Sequence, residues 1–467
     1  MIKADDLLKI PGSEKINPGR IDLKRKLFKS VGIDSRIISK DSIFFAIKGE
    51  ENDGHKFIED VFRKGVKLAV INETWYKRNK SKFPEEKLFA VKDTTAALGQ
   101  FAKIHKDNFR IPVLCIGGSN GKTTTKDLVA EVLSAKFKVL KTEGNFNNHI
   151  GLPLTLLRMN KEHEFCVLEA GCNHFGEIEY LCGIAEPDYG LITNIGKEHL
   201  EFFKDKKGVA KAEFELFDYL KKKKDTKIFI NSDDNFIKNY SGEIKNEKKF
   251  TYSYSHNSDV KGRFKGYNKN FEPEIGIAYR EEKFEVSIST FGKHSIFNGL
   301  AAASVGLYFK IGKSSIKKAL KKFKPSSSKR MEVLKTNGMV IINDTYNSNP
   351  ESVRMGLETL IEYKTTGNKY AVLSDMLELG AVSGKEHSEI GKYSEKIKIN
   401  NLYTFGKESY KTFLNAKKIK NNFYFEDKND LIKMLQLNLK KGDIIYVKGS
   451  RGMKMEEVVQ AISGKMN

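Results

Sequence analysis

The residues Gly118, Ser119, Asn120, Gly121, Lys122, Thr123 and Thr124 form a glycine-rich turn suited to nucleotide phosphates. An apolar run, Val113-Leu114-Cys115-Ile116, enters the turn, and beyond it Leu128, Val129, Val132 and Leu133 recur at helical spacing. The segment therefore reads as strand, phosphate loop and helix. Glycines let backbone N–H groups close on phosphate oxygens, and a helix N-terminus adds positive potential. Lys122 then reaches the terminal phosphates and the Thr123 hydroxyl can ligate Mg²⁺. ATP and Mg²⁺ are the expected cofactors. In the usual pattern the first glycine would fall at Ile116, so this loop is a variant.

Two further residues can join that chemistry. Glu169 ends the apolar run 165–168, and His199 lies shortly beyond the run 189–192. In a doubly wound sheet both would come to the carboxyl ends of strands, beside the phosphate loop. A carboxylate or histidine at a strand end is usually a cap or a packed polar group. Beside a phosphate loop the balance shifts, because Mg²⁺ is normally held by one or two carboxylates plus phosphates. Histidine is an unusual ligand for so hard an ion.

The elements that must position these groups fall into three parts. At 467 residues the chain exceeds one ordinary core. Residues 1–105 alternate short apolar strands, such as 42–47, with helical stretches and the turn Asn52-Asp53-Gly54. Residues 106–325 hold the phosphate loop and further buried-strand patterns at 165–168, 189–192 and 228–230, spaced for crossover helices. Between about 250 and 290 the period becomes two, with Phe284, Val286 and Ile288 apolar, which predicts an antiparallel β insertion. Lys324-Pro325-Ser326-Ser327-Ser328-Lys329 has linker composition. Residues 326–467 then repeat the strand–helix alternation, with strands expected at 339–342, 370–373, 402–405 and 444–447. The expected fold class is α/β in three domains. A small α/β N-terminal domain precedes a central phosphate-loop domain, whose doubly wound, mostly parallel sheet carries an antiparallel β insertion. A C-terminal Rossmann-like doubly wound sheet follows.

Composition excludes several classes. The opening MIKADDLLKIPG lacks the apolar core of a secretory signal, and no apolar run approaches a membrane span. A cytoplasmic protein with no membrane span is expected. Cys115, Cys166, Cys172 and Cys182 lack zinc-site spacing and read as reduced packing residues. The 82 basic residues exceed the 60 acidic ones by 22, but the surplus is dispersed, and the run 221–224 reads as a solvated turn. Charge alone therefore gives no nucleic-acid partner.

The phosphate loop resembles that of the Mur ligases and the related folylpolyglutamate synthases, and the resemblance extends along most of the chain. Gly144-Asn145-Phe146-Asn147-Asn148-His149-Ile150-Gly151, Leu168-Glu169-Ala170-Gly171, and Thr193-Asn194-Ile195-Gly196 with Glu198-His199-Leu200 look like family blocks in family order. Asp344-Thr345-Tyr346-Asn347-Ser348-Asn349-Pro350, residues 374–380 and Val447-Lys448-Gly449-Ser450-Arg451-Gly452-Met453 look like motifs of the members that add D-alanyl-D-alanine. Asp34-Ser35-Arg36 and Asp53-Gly54-His55 look like the family's UDP-sugar segments.

That resemblance implies an amide-forming ligase joining D-alanyl-D-alanine to a UDP-N-acetylmuramoyl tripeptide through an acyl phosphate, in peptidoglycan precursor synthesis. The three parts would hold the UDP-sugar, ATP and the amine donor in turn, and a monomer is expected. Ser35, Arg36, Asp53, His55, Asn147, Thr193, Asn347 and Asn349 would meet substrate, Asn298 would lie near adenine, and Arg330 and Asp344 would reach ATP. Thr123, Glu169 and His199 would hold Mg²⁺. Family members carry a carbamylated lysine shortly after that histidine, and the alignment puts Glu213 in its place. Glu213 would supply the anion without CO₂, while Lys211, two positions away on a helix, would point elsewhere. The rivals are a sister ligase adding the third amino acid, whose arginine-rich donor motif is not found, a folylpolyglutamate-type enzyme, and a phosphate-loop ATPase acting on nucleic acid.

Overall fold

The computed structural model describes residues 1–17, 23–49, 52–292, 295–324 and 329–464. The N-terminal sheet has four parallel strands, Ser30–Gly32, Ser42–Phe45, Leu68–Asn72 and Leu88–Val91, side by side in chain order. Ile43, Phe44, Phe45, Ala69, Val70 and Ile71 are all buried, as continuous apolar runs covered on both faces require. The helix Thr94–Lys106, capped by the Asp93 carboxylate, packs on the helices Gly151–Leu156 and Glu177–Ala185 of the next part. Lys103 and Lys106 in its last turn both meet Glu186. Burial alone would raise the Glu186 pKa, but the two ammonium groups outweigh it and hold the carboxyl at about 2.

The central sheet has nine strands. Its order is Glu282–Ser287, Pro273–Tyr279, Val260–Tyr267, Lys249–Ser253, Lys227–Asn231, Tyr189–Ile192, Val113–Gly117, Phe165–Glu169 and Val139–Lys141. From Val260–Tyr267 to Val139–Lys141 every pairing is parallel. The expected antiparallel segment is present, with Phe284 and Val286 facing inward. It extends the same sheet rather than forming a separate layer, because Val260–Tyr267 pairs directly with Lys249–Ser253. The helix Ser295–Tyr308, almost entirely buried, packs against the phosphate-loop helix Lys122–Leu133.

The C-terminal sheet runs Glu332–Thr336, Met339–Asp344, Ile444–Lys448, Lys369–Ser374, Asn401–Phe405 and Asn421–Phe425, parallel except for the first pair. The edge strands Glu332–Thr336 and Asn421–Phe425 were not anticipated from sequence. Residues 325–328 of the expected linker lie outside the described residues. All four cysteines are free; Cys115, Cys166 and Cys182 are buried. Among the described residues no helix is long and apolar enough to cross a membrane.

Candidate active site

The phosphate loop is held in shape before any ligand arrives. Val113–Gly117 delivers the chain to Gly118 and Gly121, whose φ angles of +113° and +79° favour glycine. A Cβ on Gly118 would stand 2.2 Å from Thr193 Oγ1, and one on Gly121 would stand 2.6 Å from Asn298 Oδ1. The neighbouring segment grips the loop from the side. Thr193 Oγ1 donates to Asn120 O at 2.7 Å, Asn194 Oδ1 accepts from Asn120 N–H at 2.9 Å, and Gly196 N–H donates to Ser119 Oγ at 2.7 Å. Thr193 thus acts on the loop backbone, a role its type alone does not reveal.

The loop opens into a cavity of about 270 Å³ between the central and C-terminal domains. Its walls bring together Lys122, Thr123, Thr124, Asn147, Glu169, His199, Asn298, Arg330, Asp344, Asn347 and Asn349. A second recess of about 220 Å³ shares Asn120, Gly121 and Asn298 with it, and is completed by Asn231, Asp233, Asp234 and Phe297. The Thr125 hydroxyl fixes Asn298 by donating to its Oδ1 at 3.1 Å.

The donor set fits a hard divalent cation. Asn147 Nδ2 donates to Glu169 Oε1 at 2.8 Å, but Glu169 Oε2 and Thr123 Oγ1 are buried without a hydrogen-bond partner. Unpaired buried oxygens are costly and call for a ligand. Among the described residues no cluster of three or more His, Cys, Asp or Glu groups could hold a metal ion.

His199 lines the same cavity and is met by carboxylates on two sides. Its Nδ1 stands 2.6 Å from Glu378 Oε2 of the C-terminal domain, and its Nε2 is 4.0 Å from Glu198 Oε2. Burial lowers its pKa, but Glu378 and Glu198 outweigh burial and raise it above the ordinary value. Lys122 Nζ is paired in turn with Glu198 Oε2 at 3.4 Å. Burial works against the Lys122 charge, yet Glu198, Glu213 and Glu169 together push its pKa up.

Glu213 is placed differently from expectation. It sits fully buried at the end of the helix Lys206–Glu213, behind the phosphate loop and outside the cavity wall. Its Oε2 accepts the Gly118 N–H at 2.6 Å, and its Oε1 is unpartnered. The short side chain ends on loop backbone instead of reaching past it. Burial drives its pKa up to about 7, against the opposing pull of Lys122. Lys211 is exposed and lies over the Phe175 ring at 5.3 Å, on another face of the helix.

The C-terminal wall is built at the ends of two adjacent strands. Asp344 Oδ2 accepts from Lys448 Nζ at 2.6 Å and from Tyr446 OH at 3.1 Å, and Lys448 also donates to Asn347 O at 2.9 Å. The Arg330 guanidinium stacks over Tyr346 at 3.7 Å, with its Nε unpaired. Asn349 caps the helix Pro350–Glu362 and donates through Nδ2 to Asn120 Oδ1 at 2.9 Å, linking this domain to the phosphate loop. Further bridges join Lys197 Nζ to Glu386 Oε1 at 2.6 Å and Lys197 N–H to Glu351 Oε2 at 3.0 Å.

The N-terminal candidates are not part of this cavity. Arg36 is exposed and paired with Asp34 at 2.6 Å, and Lys64 Nζ donates to Ser35 O at 2.6 Å. His55 is buried, with Nδ1 2.6 Å from Asp53 Oδ1 and Nε2 accepting the Asn72 N–H at 2.9 Å. Both ring nitrogens are therefore spent inside the domain, so His55 shapes the loop and has none left for a substrate. Sequence reasoning gave no role to Glu198, Glu378 or Lys448, although all three stand in quoted motifs. Only the tertiary pairing reveals them.

Comparison with known proteins follows the same division. Residues 27–106 match the family described as Mur ligase family, catalytic domain; residues 116–306 match Mur ligase middle domain; residues 329–451 match Mur ligase, glutamate ligase domain. The chain is 36% identical over 444 residues to UDP-N-acetylmuramoyl-tripeptide–D-alanyl-D-alanine ligase of Bacillus subtilis, covering 94% of this chain and 93% of the relative. The protein of the same name from Escherichia coli is 31% identical over 439 residues, covering 93% of each. Among solved structures, MurF from Acinetobacter baumannii superposes with a TM-score of 0.86 at 25% identity over 99% of both chains. MurF ligase from Thermotoga maritima in complex with ADP gives 0.80 at 27% identity, covering 95% of this chain and 99% of that one.

Proposed function

This chain belongs to the Mur ligase family, and from that premise we propose that it joins D-alanyl-D-alanine to UDP-N-acetylmuramoyl tripeptide at the expense of ATP, in peptidoglycan precursor synthesis. One observation carries the assignment of roles. The phosphate-loop lysine and two oxygens without a hydrogen-bond donor, Thr123 Oγ1 and Glu169 Oε2, face a cavity whose opposite wall is the Asp344–Lys448 pair of the C-terminal domain.

The chemistry follows from what a carboxylate lacks. It is a poor electrophile, so the tripeptide carboxylate first takes the γ-phosphoryl group, and the dipeptide amine then attacks the acyl carbon and expels phosphate. Lys122 leaves Glu198 for the terminal phosphates and offsets charge on the transferring group. Thr123 and Glu169 would hold Mg²⁺, which offsets charge on the same phosphates. Glu213 braces the loop through Gly118 and supplies a negative charge behind it, where family members carry a carbamate. Asn298 borders the recess suited to adenine, and Arg330 and Asp344 meet the nucleotide from the C-terminal side. Asn147, Asn347 and Asn349 face the tripeptide and dipeptide, and His199 docks the C-terminal domain through Glu378.

We place UDP-sugar recognition in residues 1–105, through Ser35, Arg36 and the Asp53 loop, ATP in 106–325 and the amine donor in 326–467. The protein works as a cytoplasmic monomer without nucleic acid. The test is phosphate release from ATP in the presence of UDP-muramoyl tripeptide, comparing D-alanyl-D-alanine with single amino acids. Release should need the dipeptide for sustained turnover. Borohydride trapping without the dipeptide should reduce the tripeptide carboxyl to an alcohol; reduction of the dipeptide carboxyl, when the dipeptide is supplied without the tripeptide, would reverse the roles.

A further inference from the structure

Lys126 is a cation the mechanism above leaves unused. It lies one turn beyond Lys122 on the helix Lys122–Leu133, and its side chain is wholly buried. Taking an ammonium out of water is costly unless charge and hydrogen bonds compensate it. The compensation lies beneath the metal-facing carboxylate. Lys126 Nζ donates to Thr142 O at 2.7 Å and stands 3.4 Å from Asp127 Oδ1 and 3.9 Å from Glu169 Oε2. Asp127 is shared with Lys141, whose Nζ lies 2.7 Å from the same oxygen. Two ammonium groups thus face the carboxylates of Asp127 and Glu169.

We propose that Lys126 is the resident counter-cation of Glu169: it balances that carboxylate while the nucleotide is absent, and repels a divalent ion that arrives without phosphates. The proposal rests on the reading of Glu169 as a metal-facing carboxylate. Two effects compete when the ammonium is removed. Glu169 could lose its orientation, which would weaken metal binding, or lose a repulsive neighbour, which would strengthen it. Orientation of the carboxylate rests on Asn147, not on a hydrogen bond from Lys126. Asn147 holds Glu169 Oε1 at 2.8 Å, the Glu169 N–H donates to Thr142 Oγ1 at 3.0 Å, and Lys126 makes no hydrogen bond to the carboxylate. Repulsion at this range in a dry setting is poorly screened, so it decides the sign. The metal therefore enters with the phosphates, whose negative charge outweighs the ammonium, and the empty protein stays free of it.

The experiment measures Mn²⁺ binding to the nucleotide-free full chain by electron paramagnetic resonance, with thermal melting recorded alongside. Lys126→Met should bind Mn²⁺ at least about tenfold more tightly than the parent, whereas Lys126→Arg, which keeps the charge, should stay within about threefold. Lys126→Gln retains a donor for the Thr142 carbonyl and gives the same readout if the methionine variant does not fold. Adding Glu169→Gln should erase the gain. Equal or weaker Mn²⁺ binding in the neutral variants overturns the proposal alone, provided Glu169→Gln still weakens binding of Mn²⁺ with ATP. A gain that survives Glu169→Gln puts the metal elsewhere and overturns the reading of Glu169 together with the proposal.

Discussion

Replacing Glu213 by alanine separates what a buried charge does for stability from what it does for catalysis. Holding the carboxyl at about 7, above its ordinary 4.5, costs about 3 kcal/mol of folding free energy near pH 8. Alanine removes that cost. It also removes the 2.6 Å bond to Gly118, a charge-assisted contact worth roughly 1.5–3 kcal/mol, and leaves the N–H without a partner at roughly 1–3 kcal/mol. These terms oppose one another, so urea denaturation should show a net loss of no more than about 3 kcal/mol. Activity has no such offset. Gly118 opens the phosphate loop, and a displacement of its backbone by about 1 Å can lower the rate on the order of a hundredfold. Glu213→Gln, which keeps the acceptor and loses the charge, should fall between parent and alanine. The parent should turn over equally well in bicarbonate-depleted buffer. Phosphate release within tenfold of the parent for Glu213→Ala, or bicarbonate dependence of the parent, would refute the reasoning.

Lys122→Ala should lower ligation by at least about a hundredfold while the fold stays intact, since its charge serves the phosphates; steady-state phosphate release measures this. Lys448→Met strands the Asp344 carboxylate, with which it shares a 2.6 Å buried contact, and should cost roughly 3 kcal/mol in denaturant titration, whereas the double variant with Asp344→Asn should recover part of that loss. Glu186 holds a proton less readily folded than unfolded, so its contribution is present above about 4.5 and fades as pH falls toward about 2. Glu186→Gln should accordingly flatten that part of the acid limb when stability is followed by tryptophan fluorescence.

The phosphate loop was legible because strand, glycines and helix are consecutive, and all three demands are local. The parallel strands were legible for the same reason, as unbroken apolar runs. The strand Glu332–Thr336 was hidden because its residues are only half buried and follow a linker-like stretch. His199 shows a different limit. Its place beside the phosphate loop follows from strand order, but its partner Glu378 is far along the chain and shows only in the folded structure. Glu213 shows the same limit: sequence placed the residue, and the depth of the loop backbone determined where its carboxylate stops. Lys122 and Lys126 look alike in sequence, one turn apart on one helix, yet the first faces the cavity and the second meets the backbone just past the strand Val139–Lys141.

The position of Ile444–Lys448 governs the order in which the site can appear during synthesis. The N-terminal strands lie side by side in chain order and can pair as they emerge from the ribosome. In the C-terminal sheet, Ile444–Lys448 fills the slot between Met339–Asp344 and Lys369–Ser374, which are made long before it. Until it arrives the two early strands have no common neighbour, Asp344 lacks Lys448, and the wall facing the nucleotide does not exist. A nascent chain therefore carries a finished phosphate loop while it is still unable to form the complete nucleotide enclosure.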